Sequence, residues 1–259
     1  MALVIEFKNV SVTYPGGVQA LKNFSAKIED GEFVVVVGLS GAGKSTMLRC
    51  LNNLVVPTTG EVLIDGESIT HAKGRALREL RKKVGMIFQN FNLVNRSTVL
   101  RNVLQGRLGY LPTWRTLTGL FPEEDIQIAL NCLDRVDILD KAYVRADRIS
   151  GGQQQRVGIA RALAQQPRVI LADEPVASLD PPTSHMVMRD LVRINQEDNI
   201  TTLVNLHFID LAQEYGQRII GLREGELVYD GPASEVTEKT FEEIYGRAIR
   251  PDDLRGASA

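Results

Sequence analysis

At 259 residues with 44% hydrophobic content, the chain is long enough to bury a sizeable core, as one large domain or as a core with an insertion. Its 30 Lys and Arg and 32 Asp and Glu nearly cancel to a net charge of −2, and no long basic block appears, which argues against binding along a nucleic-acid backbone. The longest plainly apolar stretch, residues 33–37, is far short of a membrane span, and Glu6 interrupts the first apolar residues before any secretory segment forms; the chain is expected on the cytoplasmic side, with any membrane role peripheral.

In chain order, residues 5–10 and 33–37 read as strands, the second apolar on both faces as a central strand is. Residues 44–53 read as a helix that starts inside a glycine loop. Residues 61–65 form a strand with a turn at Gly66, and a basic helix at 77–83 leads into another apolar strand, 84–88. From about 98 to 165 the pattern is helical with loops, and it contains the unusual segment 106–121 with the only tryptophan, Trp114. Strands resume at 169–172 and 202–206, with a helix at about 182–196 between them, and 218–222 and 226–229 read as a hairpin around Arg223-Glu224-Gly225. Only residues 255–259 look frayed. This order predicts one domain, 1–259: an α/β core of residues 1–89 and 166–259, interrupted by a helical insertion of about 90–165. Cys50 and Cys132 lie in helical patterns without metal-type spacing and read as reduced core thiols.

Gly38-Leu-Ser-Gly-Ala-Gly-Lys-Ser-Thr46 satisfies G-x-x-x-x-G-K-[ST] between an apolar strand and a helix. Composition alone produces this pattern in roughly one chain of this length in a hundred, and the strand–loop–helix context makes chance rarer still. Glycines let backbone N–H groups approach phosphates closely, so Gly38, Ser40, Gly41, Ala42, Gly43, Lys44, Ser45 and Thr46 are candidate ATP-binding residues. Lys44 would reach the β- and γ-phosphates, and Ser45 would offer its hydroxyl to Mg²⁺. A second feature is the apolar strand ending in Asp173-Glu174. Adjacent strand residues point to opposite faces, so the two acids should have different tasks. Asp173 fits the Mg²⁺ side, and Glu174 fits a general base that polarises the attacking water.

Ile149-Ser150-Gly151-Gly152-Gln153 resembles the signature sequence of ATP-binding-cassette (ABC) ATPases, with isoleucine where leucine is usual. On its own, Ser-Gly-Gly reads as a plain helix N-cap. Other positions match the family in the right order. Gln89 resembles the loop glutamine that senses Mg²⁺ and water and joins the insertion. Ser178-Leu179-Asp180 resembles the loop coupling the two sites of a dimer, and His207 resembles the switch histidine at the γ-phosphate. Tyr14 resembles the aromatic that stacks on adenine, a contact worth about 1 kcal/mol. The resemblance spans nearly the whole chain. It implies a P-loop NTPase fold of the ABC type: a mixed β core, an antiparallel β subdomain and an inserted α-helical subdomain. It also implies ATP and Mg²⁺ as cofactors, Glu174, His207, Gln89 and Lys44 in catalysis, and Mg²⁺ near Ser45, Gln89 and Asp173. Ser150, Gly151, Gly152, Gln153 and Asp180 would bind ATP in trans, on a second copy of the chain.

Residues 106–121, Met86-Ile-Phe-Gln-Asn-Phe-Asn-Leu-Val94 and Val204-Asn-Leu-His207 look like the corresponding segments of phosphonate-importer ATPases; Phe208 departs from the glutamine usual after the histidine. That resemblance implies an ATP-hydrolysing subunit on the cytoplasmic face of the cell membrane. It would energise import of phosphonate, with phosphate and phosphite left open, alongside permease subunits and, indirectly, an extracytoplasmic phosphonate-binding protein; no nucleic acid is implied. Tyr110, Trp114 and Phe121 could be anchors for a permease helix or ordinary packing of the insertion. The alternative is a soluble ABC clamp or assembly factor tied to phosphonate breakdown. An exporter ATPase is a third reading, disfavoured by the phosphonate-like segment.

Overall fold

The structure, a computed structural model, describes residues 3–254, so the expected frayed end at 255–259 lies outside the described residues. Among them the strands form two sheets. The first is antiparallel, in the order β2-β1-β4-β5, from β1 (Leu3–Thr13), β2 (Gln19–Glu29), β4 (Thr59–Ile64) and β5 (Glu67–Ser68). The second runs β10-β9-β3-β8-β7-β6. It is built from β3 (Phe33–Val37), β6 (Val84–Ile87), β7 (Val169–Asp173), β8 (Thr201–Asn205), β9 (Arg218–Arg223) and β10 (Glu226–Pro232). All neighbours in it are parallel except the β9–β10 hairpin.

Strand β3 is apolar throughout because both its faces are covered. Val34 and Val36 pack toward the antiparallel sheet and α1 (Lys44–Leu51), which buries Met47, Leu48, Cys50 and Leu51 there. Phe33, Val35 and Val37 pack on the opposite side, against a helical layer. That layer includes α7 (Pro181–Asp198), α8 (Ile209–Tyr215) and α9 (Glu238–Tyr245). Between β6 and β7 lie α3 (Val99–Leu104), α4 (Thr113–Thr118), α5 (Glu123–Arg135) and α6 (Gly151–Ala164), while α2 (Gly74–Lys82) precedes β6.

Sequence periodicity did not indicate β2, α8 or α9. In β2 the cause is a pair of bulges. Asn9 and Asn23, both at φ 49°, interrupt the alternation, and the β1–β2 register shifts between Phe7 and Val10. The Asn9 N–H donates to Ser25 Oγ and the Asn23 N–H to Ser11 Oγ, each at 2.9 Å, so the bulged amides stay satisfied. The buried residues of β2 therefore read Ala20, Leu21, Phe24, Ala26, Ile28, with no single period of two.

The glycine loop, the Asp173-Glu174 pair and His207 follow β3, β7 and β8, three adjacent parallel strands, so all emerge at one carboxyl edge of the sheet.

Candidate functional site

The loop after β3 leaves the sheet through Gly38, Gly41 and Gly43, all with positive φ. Gly43, at φ 104°, is the N-cap of α1; a Cβ there would lie 2.3 Å from the Ala20 carbonyl oxygen of β2, so only glycine lets the loop close against that strand. The first-turn amides of α1 have no acceptor inside the helix and face an anion-sized space with the helix dipole behind them. Lys44 is buried, and its Nζ donates to the carbonyls of Gly38 at 2.6 Å and Leu39 at 3.0 Å. Desolvation lowers its pKa to about 8, against the opposing pull of Glu174 and Asp173.

A cavity of about 290 Å³ opens over this loop, lined by Tyr14, residues 40–46, Glu174 and His207. At one end the Tyr14 and Thr46 hydroxyls lie 3.1 Å apart. Beside the other end, Asp173, the last residue of β7, and Glu174, just beyond it, diverge. Ser45 Oγ donates to Asp173 Oδ1 at 2.7 Å, which makes a hydroxyl–carboxylate pair suited to a hard, oxygen-seeking cation. Glu174 turns the opposite way because its backbone is left-handed, at φ 53°, a conformation costly for a side chain and concentrated at functional sites. Its Oε1 lies 2.6 Å from His207 Nε2, and that contact, outweighing partial burial, holds the Glu174 carboxyl below the ordinary carboxylate range. The Tyr245 hydroxyl of α9 donates to the His207 carbonyl at 2.8 Å, so the C-terminal helix braces the histidine loop.

Gln89 lies exposed in the turn after β6 and does not line the cavity. The second glycine turn also stands apart from it. Ser150 caps α6 in a reciprocal box: its Oγ accepts from the Gln153 N–H at 3.3 Å, and Gln153 Oε1 accepts from the Ser150 N–H at 3.0 Å. Asp180 caps α7 by accepting from the Thr183 N–H at 3.1 Å. The two helix starts sit side by side, because a Cβ on Gly152 would lie 2.4 Å from Thr183 Cγ2, and Gly151 sits near Leu179. One chain thus carries a complete phosphate loop and, elsewhere, a paired set of helix N-termini.

Of the three aromatics in 106–121, Tyr110 donates its hydroxyl to the Gln165 carbonyl at 2.8 Å and sits between the Lys82 and Arg107 cations. Phe121 packs on the core, and Trp114 remains 58% exposed. Both cysteines are buried, and burial raises their thiol pKa values to about 12 for Cys50 and about 11 for Cys132, as expected of inert core thiols. Sequence reasoning missed Asn205. Wholly buried at the end of β8, it donates from Nδ2 to Asp173 Oδ1 at 2.8 Å and lies 3.3 Å from Ser45 Oγ. An amide closing an otherwise apolar strand end was the available signal.

The depressed Lys44 pKa gives a measurable expectation. With its pKa lowered to about 8, Lys44 is expected to be partly neutral near that pH, and bound phosphates would restore the charge, so ATP binding should take up protons. Calorimetry in two buffers of different ionisation heat reads this directly; a buffer-independent binding enthalpy would rule it out. The same shift makes the unfolded chain bind more protons than the folded one between pH 8 and 10.5, so stability from this group rises with pH across that window.

A family model described as ABC transporter matches residues 21–177. The chain is similar to "Phosphonates import ATP-binding protein PhnC 3" of Halalkalibacterium halodurans, with 65% identity over 253 residues, 98% of each chain. It is likewise similar to "Phosphonates import ATP-binding protein PhnC" of Staphylococcus aureus, with 63% identity over 254 residues, covering 98% of this chain and 99% of that one. Among solved structures, a dimeric post-hydrolysis state of the ATP-binding cassette MJ0796 bound to ADP and Pi superposes with a TM-score of 0.78 at 40% identity, covering 88% of this chain and 98% of that one. The ADP conformation of the cassette MJ1267 shares the fold at a TM-score of 0.82 and 24% identity, over 94% of this chain and 98% of that one.

Proposed function

The chain belongs to the ATP-binding-cassette transporter family, and on that premise we propose that it is the ATP-hydrolysing subunit that energises phosphonate import across the cytoplasmic membrane. The observation that carries this reading is the 63–66% identity, over nearly the full chain, to proteins named for phosphonate import. Those names favour an importer over a soluble clamp.

ATP would lie along residues 38–46 with its base toward Tyr14, and Lys44 would leave its loop carbonyls for the phosphates. The geometry of Ser45 and Asp173 fits Mg²⁺, which when bound offsets phosphate charge. Glu174 accepts the proton of the attacking water, whose oxygen bonds the γ-phosphorus as the bond to the β-phosphate bridge breaks, releasing ADP and phosphate. His207, held by Glu174 and Tyr245, orients that water.

A second copy would cover the nucleotide with Ser150, Gly151, Gly152, Gln153 and Asp180. The side-by-side packing of α6 and α7 supports this, since it presents these residues as one surface. Closure would carry the helical segment of about 90–165 and, through Gln89, the permease subunits it grips; loss of the γ-phosphate would reopen the dimer. The protein would sit peripherally on the cytoplasmic face. Among the described residues no helix is long and apolar enough to cross a membrane.

The test is ATP turnover of the complex reconstituted in membranes, with a binding protein supplied empty, phosphonate-loaded or phosphate-loaded. Stimulation by phosphonate alone is expected. Equal stimulation by phosphate would widen the cargo to oxyanions, and failure to assemble with permease subunits would overturn the importer reading.

A further inference from the structure

We propose that Asn205 is a positioning residue for the metal side of the site, holding the Asp173 carboxylate against Ser45 in the pose that receives the divalent cation accompanying ATP. This rests on the nucleotide reading above and assigns a role to a residue outside the loop, acid and histidine motifs.

The sheet register makes the contact. Asp173 and Asn205 are direct partners on the parallel strands β7 and β8, and both are buried. Asn205 Nδ2 lies 2.8 Å from Asp173 Oδ1 and 3.3 Å from Ser45 Oγ. A carboxylate oxygen accepts and cannot donate, so the amide nitrogen, not the amide oxygen, must face it.

With that orientation set, Asp173 Oδ1 receives two donors, the Ser45 hydroxyl and the Asn205 amide. A carboxylate held by serine alone can swing about its terminal torsion, whereas two donors on one oxygen pin it. Oδ2 is left 3.6 Å from the Arg49 guanidinium.

The amide is not there for packing. Its Oδ1 is buried and has no hydrogen-bond partner, a costly arrangement that an apolar residue would avoid. On its own face of the sheet the side chain meets Asp173 and Ser45, whereas Val204 and Leu206 pack into the core on the opposite side. Retaining an amide with one unsatisfied atom at this point is explained by what its other atom does.

The main chain of the same residue braces the second acid. The Glu174 N–H donates to the Asn205 carbonyl at 3.2 Å, across the left-handed turn that separates the two carboxylates. One residue of β8 therefore anchors Asp173 through its side chain and Glu174 through its backbone. Substitution at 205 removes only the first of these, which makes the side-chain role separable.

The test uses Mn²⁺ as the probe and β,γ-imido-ATP as a nucleotide that does not turn over, with protein in excess so that nearly all nucleotide is bound. Mn²⁺ affinity is read from loss of the free-ion EPR signal, and nucleotide affinity is measured separately in EDTA. Asn205→Leu is expected to weaken Mn²⁺ binding about tenfold, the lower end of what loss of a group supporting a metal ligand costs. Its nucleotide affinity in EDTA should stay within about twofold of wild type, as expected when the phosphate loop itself is untouched. Asn205→Ala serves as the second variant if leucine does not fold.

Unchanged Mn²⁺ affinity with intact nucleotide binding would overturn the role of Asn205 while leaving the metal reading standing. An equal loss of nucleotide affinity in EDTA would make Asn205 a structural support of the whole site and would also overturn it. If the wild type holds Mn²⁺ no better than the free nucleotide does, the assignment of Ser45 and Asp173 to the metal fails, and the proposal fails with it.

Discussion

Replacing Glu174 by Gln should lower ATP turnover by about 100- to 10,000-fold, the range that a positioned general base supplies. The substitution keeps the volume and the hydrogen-bonding reach toward His207, 2.6 Å away, but removes the proton acceptor. It also leaves the left-handed backbone at this position no more strained than before. ATP should still bind, because the phosphate loop and Lys44 are untouched. On the two-copy reading proposed above, binding without turnover would leave a closed pair of chains, so the variant should run as a dimer with ATP and Mg²⁺ in size-exclusion chromatography while the wild type returns to monomer as ATP is consumed. Turnover at the wild-type rate would remove Glu174 from the role of base. The pH profile gives a second reading. Contact with His207 depresses the Glu174 pKa, so the carboxylate should remain the competent base down to a pH below the usual glutamate range before protonation shuts turnover off.

The largest expected loss of stability lies away from the chemistry, at Arg107. Its guanidinium is buried between α5 and the end of α6, where Nε donates to the buried Asp125 Oδ1 at 2.7 Å. Nη1 donates to the Ala164 carbonyl at 3.0 Å and to Gln166 Oε1 at 2.9 Å, at the carboxyl end of α6. Arg107→Met would strand the Asp125 charge in the interior, which costs about 3–5 kcal/mol. For a chain of this size that corresponds to a melting point lower by about 10 °C. Replacing both partners, Arg107→Met with Asp125→Leu, should recover most of the loss, because the expensive element is the unpaired charge and not the absence of the bridge. Thermal melts of the two variants decide it; a single variant within about 1 kcal/mol of wild type would mean that the pair is solvated in solution.

Much of the α/β order was legible because the elements with strong periods are also the buried ones. Strand β3 and β7 up to Ala172 announced themselves as unbroken apolar runs, since both faces of the larger sheet are covered. Strand β2 did not, because the bulges at Asn9 and Asn23 reset the alternation of inward residues. Helices α8 and α9 are seven and eight residues long, too short for a helical period to stand out. Tyr110 and Phe121 were ambiguous in sequence between docking anchors and packing residues; contact with Gln165 and with the core takes up both.

The phosphate loop belongs to the sequence alone. Its glycines, lysine and hydroxyls are contiguous from 38 to 46, so local backbone freedom and a helix start suffice to shape it. The separation of tasks expected of Asp173 and Glu174 rested on strand alternation, but β7 ends at Asp173, and it is the left-handed turn at Glu174 that sends the two side chains to different partners. Which partner each acid meets was decided only by the tertiary structure. Asp173 faces Ser45 and Asn205 because β7 and β8 pair in one register, and a slip of one residue would turn the amide to the other face of the sheet. Glu174 meets His207 because its backbone turns left-handed on leaving that register, and α9 then holds the histidine loop through Tyr245. The pairing of the α6 and α7 starts is of the same kind: helix caps are local, but their adjacency depends on the close approach that Gly152 permits against Thr183. Contacts between residues some thirty positions apart carry no period along the chain, so only the packed sheet and helices bring them into being.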